Sequence, residues 1–282
     1  MSNKKLTLTI VIPAYNERSY LAACLDSIAD QTIMPAEVIV VDNNSTDSTL
    51  KIAQSYSFVK VMREKRQGVF FAVRRGFRAA RGDIIGRIDA DTILPAGWVE
   101  TVLAKMADGS AAAVTGPVNY YDMPLPRKNY WFDHIMRMLT YKFAYDKSPF
   151  LYGSNLAFRR ATWRKVANSL CTRQDIHEDI DLAIHFKQAG GQIIYDKSLL
   201  SGASGRRYND TIKSFGGYIG MYKRTYSQHG LHSLAMYAAL FMWSLGYLLM
   251  HPWRNLWYSV YGYFNSLYPL SREARKNPMS SV

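Results

Sequence analysis

From residue 6 to about residue 120, short β-branched runs alternate with longer amphipathic stretches, and this alternation limits the possible folds more than any other feature of the chain. "LTIVIPA" predicts a buried strand. Residues 17 to 30 then place Tyr20, Leu21, Leu25 and Ile28 at helical spacing, and "EVIVVDNNS" predicts a second strand. A helix over Thr46 to Ser55, capped by Ser45 or Thr46, leads to a third strand in "VKVMRE". Residues 69 to 81 read as a helix, "DIIGRIDAD" as a fourth strand, the stretch from Pro95 as another helix and "AAAVTGPV" as a further strand. Strands separated by helices return by crossovers, which builds a mostly parallel sheet covered on both faces. The expected class is α/β.

In sheets of this kind ligands bind beyond the carboxyl ends of the strands. Asn16 and Glu17 follow the first strand, Asp42 ends the second, and Asp89 and Asp91 end the fourth, so these side chains are expected to converge on one crevice. Asp89 and Asp91 stand one residue apart in "GRIDADTIL". Two carboxylates so close are unfavourable unless a cation or strong donors compensate. Hard divalent cations such as Mg²⁺ and Mn²⁺ take oxygen ligands and keep positions open that phosphate oxygens can fill. Alternation along an extended segment points the two side chains to opposite sides. Asp91 is therefore expected to hold the metal, while Asp89 reaches a nucleoside or a metal-bound water. A lone D-x-D pattern describes a solvated turn equally well.

Residues 122 to 150 are aromatic, contain proline and read as an irregular cover or acceptor-side loop. "YGSNLAFRRATWRKV" returns to a strand and a helix, and "DIHEDIDLAIHFKQAGGQIIYD" gives a loop, a helix, a Gly-Gly stop and a strand. After about residue 230 the composition shifts: Leu234 to Met250 carries no charge, and an aromatic-rich tail follows. Its 17 residues are at the lower limit for crossing a bilayer, and Tyr and Trp at the edges resemble an interfacial belt. The chain thus divides into residues 1–230, a catalytic or binding domain, and residues 231–282, a membrane-associating apolar helical tail. A buried core helix is the competing reading of that tail.

Charge narrows the partners. Lys and Arg outnumber Asp and Glu to give a formal net charge of +13, which favours an anion: nucleic acid, an anionic membrane face or a phosphorylated small molecule. The two cysteines, Cys24 and Cys171, have no paired spacing, which indicates neither a disulfide framework nor a zinc site. His134, His185, His229, His232 and His251 share no ligand spacing on a common face, and His177 is expected beside the site without ligating. The apolar run at the N-terminus meets Pro13 too early for a signal peptide.

The segments "TIVIPAYNE", "VIVVDNNSTDST", "GVFFAVRRGFRAARGDIIGRIDADT", "YGSNLAFRR" and "HEDIDLAIHFKQAGG" resemble, in order and spacing, those of the family 2 glycosyltransferases, enzymes with the Rossmann-like GT-A fold. The likeness covers most of residues 6 to 225. It implies that Pro13, Ala14, Tyr15 and Glu17 surround the base and ribose of a nucleotide-sugar, uridine being the commoner base. Asp42 would accept a hydrogen bond from that base, with Asn44 and Ser45 beside it. The resemblance makes Asp91 the Mn²⁺ or Mg²⁺ ligand and Asp89 the neighbour of the ribose or sugar. Asp179 matches the catalytic base, with Glu178 as second choice, and Arg206 and Arg207 in "SGRRYND" match the stretch that meets the diphosphate. An inverting single displacement follows, onto a lipid-linked or cell-surface glycan precursor at the cytoplasmic face of the membrane. "VRRG" departs from the family's "ARNxG"-like stretch, which puts the contacts of Arg74 and Arg75 in doubt. The processive "QxxRW" pattern is missing, in favour of single sugar addition.

Without the resemblance, "HEDIDL" is equally the acidic first turn of a helix, stabilised by the macrodipole alone. Two rival functions share some features. A nucleotidyltransferase would place a Gly-rich basic phosphate loop after the first strand, where "PAYNERS" has none. A basic nucleic-acid-binding protein would interleave its aromatic and basic residues, whereas here the aromatics concentrate in the apolar tail. Nucleic acid is therefore not expected as a partner.

Overall fold

A computed structural model describes residues 5–123 and 126–260. The strands are β1 (Leu8–Ala14), β2 (Glu37–Asp42), β3 (Val59–Arg63), β4 (Ile84–Arg87), β5 (Ala111–Thr115), β6 (Val118–Tyr120), β7 (Leu156–Arg159), β8 (Gln192–Tyr195) and β9 (Ser201–Ala203). Seven of them form one sheet in the order β3-β2-β1-β4-β7-β5-β8, and β6 pairs with β9 in a two-stranded sheet. All neighbours in the large sheet run parallel except β7, which is antiparallel to both β4 and β5. The chain is α/β, with a mostly parallel sheet flanked by helices and an apolar helix at the C-terminal end of the described residues.

The period of two along the strands sorts the core into two layers. Leu8, Ile10, Ile12, Val38 and Val40 pack on one face with Leu21, Cys24, Leu25 and Ile28 of α1 (Leu21–Ala29) and Trp98 of α4 (Trp98–Lys105). Val11, Ile39 and Val41 face the other way, onto Val73 and Phe77 of α3 (Val69–Ala79), Trp163 of α6 (Arg160–Val166) and Phe186 of α7 (Glu178–Gln188). Burial on both faces is what makes β1 and β2 continuous apolar runs. A third cluster joins Ile180 and Ile184 of α7 to Tyr222 and Tyr226 of α8 (Ile212–Gln228) and Met236 of α9 (Leu234–Val260).

Several expected elements change. The fourth strand ends at Arg87, so Asp89 and Asp91 lie on the segment beyond it. The single strand expected in "AAAVTGPV" divides at Gly116–Pro117 into β5 and β6. Proline there has no N–H to donate, and a Cβ on Gly116 would lie 2.0 Å from the Leu199 carbonyl oxygen, so only glycine lets the chains pass. Helix α2 is shorter than expected (Thr49–Gln54); Asp47 Oδ1, not Ser45 or Thr46, accepts the Thr49 N–H at 2.9 Å. The largest correction concerns residues 122 to 150, where a 19-residue helix, α5 (Pro126–Ala144), replaces the irregular cover. Pro126 is its first residue, where the missing N–H costs nothing. The aromatic side chains follow helical spacing but one stripe stays exposed, which disguised the pattern: Trp131, Phe132, Ile135, Leu139 and Phe143 all face outward.

Candidate active site

The carboxyl ends of β1, β2 and β3 are tied together by two asparagines in left-handed backbone conformations, Asn16 (φ 54°) and Asn44 (φ 61°). Asparagine tolerates this region better than other non-glycine residues. Asn16 donates its N–H to Ser45 Oγ at 3.0 Å and accepts the Thr46 N–H on its side chain at 2.8 Å. Asn44 Nδ2 donates to the Lys65 carbonyl at 2.6 Å. Between these loops Asp42, fully buried, accepts the Ser45 N–H at 3.3 Å, and Arg63 Nε lies 3.7 Å from its other oxygen. Pro13 and Ala14 sit opposite Val41 and Asp42 in the strand register, and Tyr15 is half-buried just beyond them.

Asp89 and Asp91 engage different cations, as their opposite directions require. Arg206 reaches Asp91 Oδ2 through Nε at 3.0 Å and Nη2 at 2.9 Å, and the same Nη2 donates to Glu17 Oε1 at 2.6 Å. Its guanidinium lies 4.4 Å from the Tyr20 ring centre. Burial pulls the Arg206 pKa down, but Asp91 and Glu17 outweigh it and hold the group above its usual value. Arg206 begins a short 3-10 turn (Arg206–Asn209) whose entry is pinned by Asp122, which accepts from Ser204 Oγ and the Gly205 N–H, both at 2.6 Å. Arg207 turns aside: its guanidinium stacks 3.8 Å from the Tyr218 ring centre and lies 3.5 Å from Asp210.

On the other side, Arg87 Nη2 spans Asp89 Oδ1 at 3.1 Å and Glu178 Oε1 at 2.9 Å. Glu178 and Asp179 open α7, and Asp179 accepts the Gly153 N–H at 2.8 Å and the Ile180 N–H at 2.9 Å. A Cβ on Gly153 would fall 1.3 Å from Arg87 Nη1, so this loop approaches the guanidinium as only glycine allows. Burial pushes the carboxyl pKa of both Glu178 and Asp179 above the ordinary range, and Arg87 offsets part of that rise. His177, just before them, is packed between Tyr218 and Tyr222 with ring centres at 4.7 and 3.9 Å. Burial lowers its pKa to about 4, so the imidazole stays neutral near pH 7.

The donor set at the mouth fits a hard cation. Glu17, Asp89 and Asp91 bring carboxylate oxygens to the strand ends, and no hydrogen bond among the described residues engages Asp91 Oδ1. Cys24 Sγ is buried and turned to the Asp89 carbonyl oxygen at 3.7 Å. The other arginines that drew notice are elsewhere: Arg74 donates to the Ala167 carbonyl at 2.7 Å and Arg75 lies 3.9 Å from Glu64. Both line, with Arg66 and Arg78, a separate cavity of about 530 Å³ along α3.

A model of the family described as "Glycosyl transferase family 2" matches residues 9–166, more than half of the 282 residues. The chain belongs to glycosyl transferase family 2. Among curated relatives, the glycosyltransferase GlyG of Streptococcus pneumoniae serotype 4 is 31% identical over 130 residues, 44% of this chain and 42% of that one. The chondroitin synthase of Escherichia coli is 37% identical over 100 residues, 34% of this chain and 15% of that one. These matches span less than half the length of either relative. Among solved structures, the mannosyltransferase PcManGT from Pyrobaculum calidifontis, in complex with GDP-Man and Mn²⁺, superposes with a TM-score of 0.62 at 20% identity, over 93% of this chain and 77% of that one. Staphylococcus aureus TarS 1-349 in complex with UDP-GlcNAc gives 0.55 at 18% identity, over 71% and 58%. These likenesses establish the GT-A fold for this glycosyltransferase.

Sequence reasoning passed over two parts of the candidate site: Arg87 and Gly153. Arg87 had a signal, a lone cation inside the apolar run "DIIGRID", where an unpaired charge would be costly. The histidines share no ligand spacing along the chain, yet two of them meet in the fold. His185 and His229 stand with ring centres 5.0 Å apart beside Asp181, because the end of α8 packs against α7, 48 residues from Asp181 in sequence.

Proposed function

We propose that the chain is an inverting, metal-dependent glycosyltransferase that moves one sugar from a nucleotide-diphosphate sugar to an acceptor hydroxyl, UDP being the favoured nucleotide. The observation that carries this reading is the Arg87 bridge: one guanidinium joins Asp89, on the donor side, to Glu178, next to the candidate base Asp179.

In this reading the nucleoside lies on the loops after β1 and β2, among Pro13, Ala14, Tyr15 and Glu17, with Asp42 and Asn44 facing the base. Asp89 faces the ribose or the sugar. Asp91 holds Mn²⁺ or Mg²⁺, and the bound ion supplies positive charge to the departing diphosphate. Arg206, already desolvated beside Asp91, carries the remaining diphosphate contact, and Arg207 would reach the diphosphate only by leaving Tyr218 and Asp210. Asp179 takes the proton of the acceptor hydroxyl as its oxygen attacks the anomeric carbon, the bond to the diphosphate breaks on the opposite face, and configuration inverts. Burial keeps the Asp179 carboxyl a stronger base than an exposed one. The backbone N–H groups of Gly153 and Ile180 hold it in place.

The acceptor is a lipid-linked or cell-surface glycan precursor, met at the cytoplasmic face of the membrane. Support comes from α9: Leu234–Trp253 is long and apolar enough to cross a bilayer, and only 11% of that window is buried within the protein. Tyr247 donates to the Asp210 carbonyl oxygen, next to the 3-10 turn that carries Arg206, so the apolar helix is fastened to the donor site. Exposed α5 side chains, Trp131 and Phe143 among them, extend the same kind of surface.

A thermal-shift series with nucleotide-sugars, with and without Mn²⁺, tests the donor and the metal. One UDP-sugar is expected to raise the melting temperature only when the ion is present, and Asp91→Ala is expected to abolish that rise. Asp179→Asn is expected to keep the rise and lose transfer. Full turnover in excess EDTA would refute the metal, and transfer by Asp179→Asn would refute the base.

A further inference from the structure

Behind the acidic mouth, three side chains from separate segments meet at one point. Asp181 lies two residues beyond Asp179 on α7, about 200° round the helix at 100° per residue, and so faces away from the candidate base. It is 1% exposed. Cys171 comes from the loop after α6, and His229 caps the end of α8. His229 Nε2 lies 2.8 Å from Asp181 Oδ1 and 3.8 Å from Cys171 Sγ, and the three ligand atoms fall within 4.8 Å of one another.

A cysteine nucleophile activated by a histidine would need its thiol and its orienting carboxylate on different ring nitrogens. Here sulfur and oxygen meet the same nitrogen, which is the arrangement of donors around a shared cation. With metal–sulfur and metal–nitrogen or –oxygen bonds of about 2.3 and 2.0–2.2 Å, tetrahedral donors stand roughly 3.4–3.6 Å apart, so the two spacings to His229 need to shift by about 0.2–0.6 Å and the Cys171–Asp181 spacing, within 4.8 Å, by at most about 1.4 Å. Supporting contacts surround the three donors. Asp181 Oδ2 accepts the Cys171 N–H at 3.0 Å, His185 Nδ1 lies 3.5 Å from Asp181 Oδ1, and Gln228 Nε2 lies 2.9 Å from Cys171 Sγ. Such outer contacts orient ligands at protein metal sites.

We propose that Cys171, Asp181 and His229 form a second divalent-metal site, for a borderline-soft cation of the zinc class, distinct from the oxygen-donor site at Asp91. One thiolate, one imidazole and one carboxylate suit Zn²⁺ or Co²⁺ and disfavour Mg²⁺ and Mn²⁺. Three protein donors leave a fourth position for water. The ion would staple the loop at Cys171 and the end of α8 to α7. Helix α8 also fixes His177, whose backbone N–H donates to Thr225 Oγ1 at 2.9 Å, so the staple would steady the turn that presents Glu178 and Asp179. Its role is positional, since Asp181 faces away from the candidate base.

The test uses the full chain without an affinity tag, stripped of metal by a chelator and titrated with Co²⁺. One equivalent is expected to produce a thiolate-to-cobalt charge-transfer band in the near ultraviolet, which Zn²⁺ displaces and excess Mn²⁺ does not. The band is expected to survive Cys24→Ala and to vanish in Cys171→Ser, and His229→Gln is expected to weaken cobalt binding at least tenfold. Zn²⁺ should raise the melting temperature of the wild type and not of Cys171→Ser. Circular dichroism checks that each variant folds; if Cys171→Ser does not, His229→Gln decides. A wild type with no charge-transfer band, a band that outlasts Cys171→Ser, or unchanged cobalt affinity in His229→Gln overturns the site.

Discussion

Arg87 is the residue on which two halves of the site depend, because its buried guanidinium is the shared counter-ion of Asp89 and Glu178. Removing one partner from a buried ion network leaves charge uncompensated, at a cost of about 3–5 kcal/mol. Arg87→Met is therefore expected to lower the stability by that order in denaturant titration. It also changes the pH profile. The Glu178 and Asp179 carboxyls already titrate above the ordinary range because they are buried, and Arg87 is what restrains the rise. A base must be deprotonated to act, so kcat/KM of the wild type is expected to fall as pH drops through that raised pKa. Without the guanidinium the carboxylate is stabilised less, and the acid limb should move to higher pH. A limb that stays in place, measured with saturating metal, would detach Arg87 from the base.

At the scale of elements, the first turn of α7 works because the Tyr152–Gly153 backbone comes close enough to bond Asp179. Gly153→Ala places a methyl where Arg87 Nη1 stands, so the flexible guanidinium must leave Glu178 or Asp89. A displacement of about 1 Å at a reacting group can cost on the order of a hundredfold in rate. Gly153→Ala is expected to lose roughly that much kcat while far-ultraviolet circular dichroism stays that of the wild type. Unchanged kcat would mean that the base does not rely on this approach. The acidic first turn of α7 also interacts favourably with the helix dipole, and its two carboxylates take the Gly153 N–H and the Arg87 guanidinium as further partners.

For the molecule as a whole, the proposed partner is an anionic bilayer, which the excess of positive charge and the outward apolar faces of α5 and α9 would suit. Helix α9 is held to the rest of the chain by Met236 and Tyr247, both buried, while Phe241, Leu248 and Trp253 face outward. Burying such a side chain in lipid is worth about 1.5–3 kcal/mol, so two lost anchors change partitioning by more than a hundredfold. Phe241→Asp combined with Leu248→Asp is expected to release the protein from anionic vesicles in a sedimentation assay without lowering its melting temperature. Binding that persists in the double variant would remove the membrane from the proposal.

The alternation of strand and helix, and with it the succession of β1 to β4 along the chain and the acidic residues at or just past the ends of strands, was legible in the sequence because period and burial are local properties. So was the family, since its motifs are short segments in fixed order. Arg87, Gly153 and the partner of Arg206 were not, because a counter-ion is chosen by which segments the sheet brings together: Arg206 meets Glu17 across 189 residues. Helix α5 escaped for the opposite reason, its apolar stripe facing outward where a core-facing pattern was sought. The meeting of Cys171, Asp181 and His229 belongs wholly to tertiary structure. Spacing along a chain cannot reveal donors that only the packing of α7 against α8 makes neighbours.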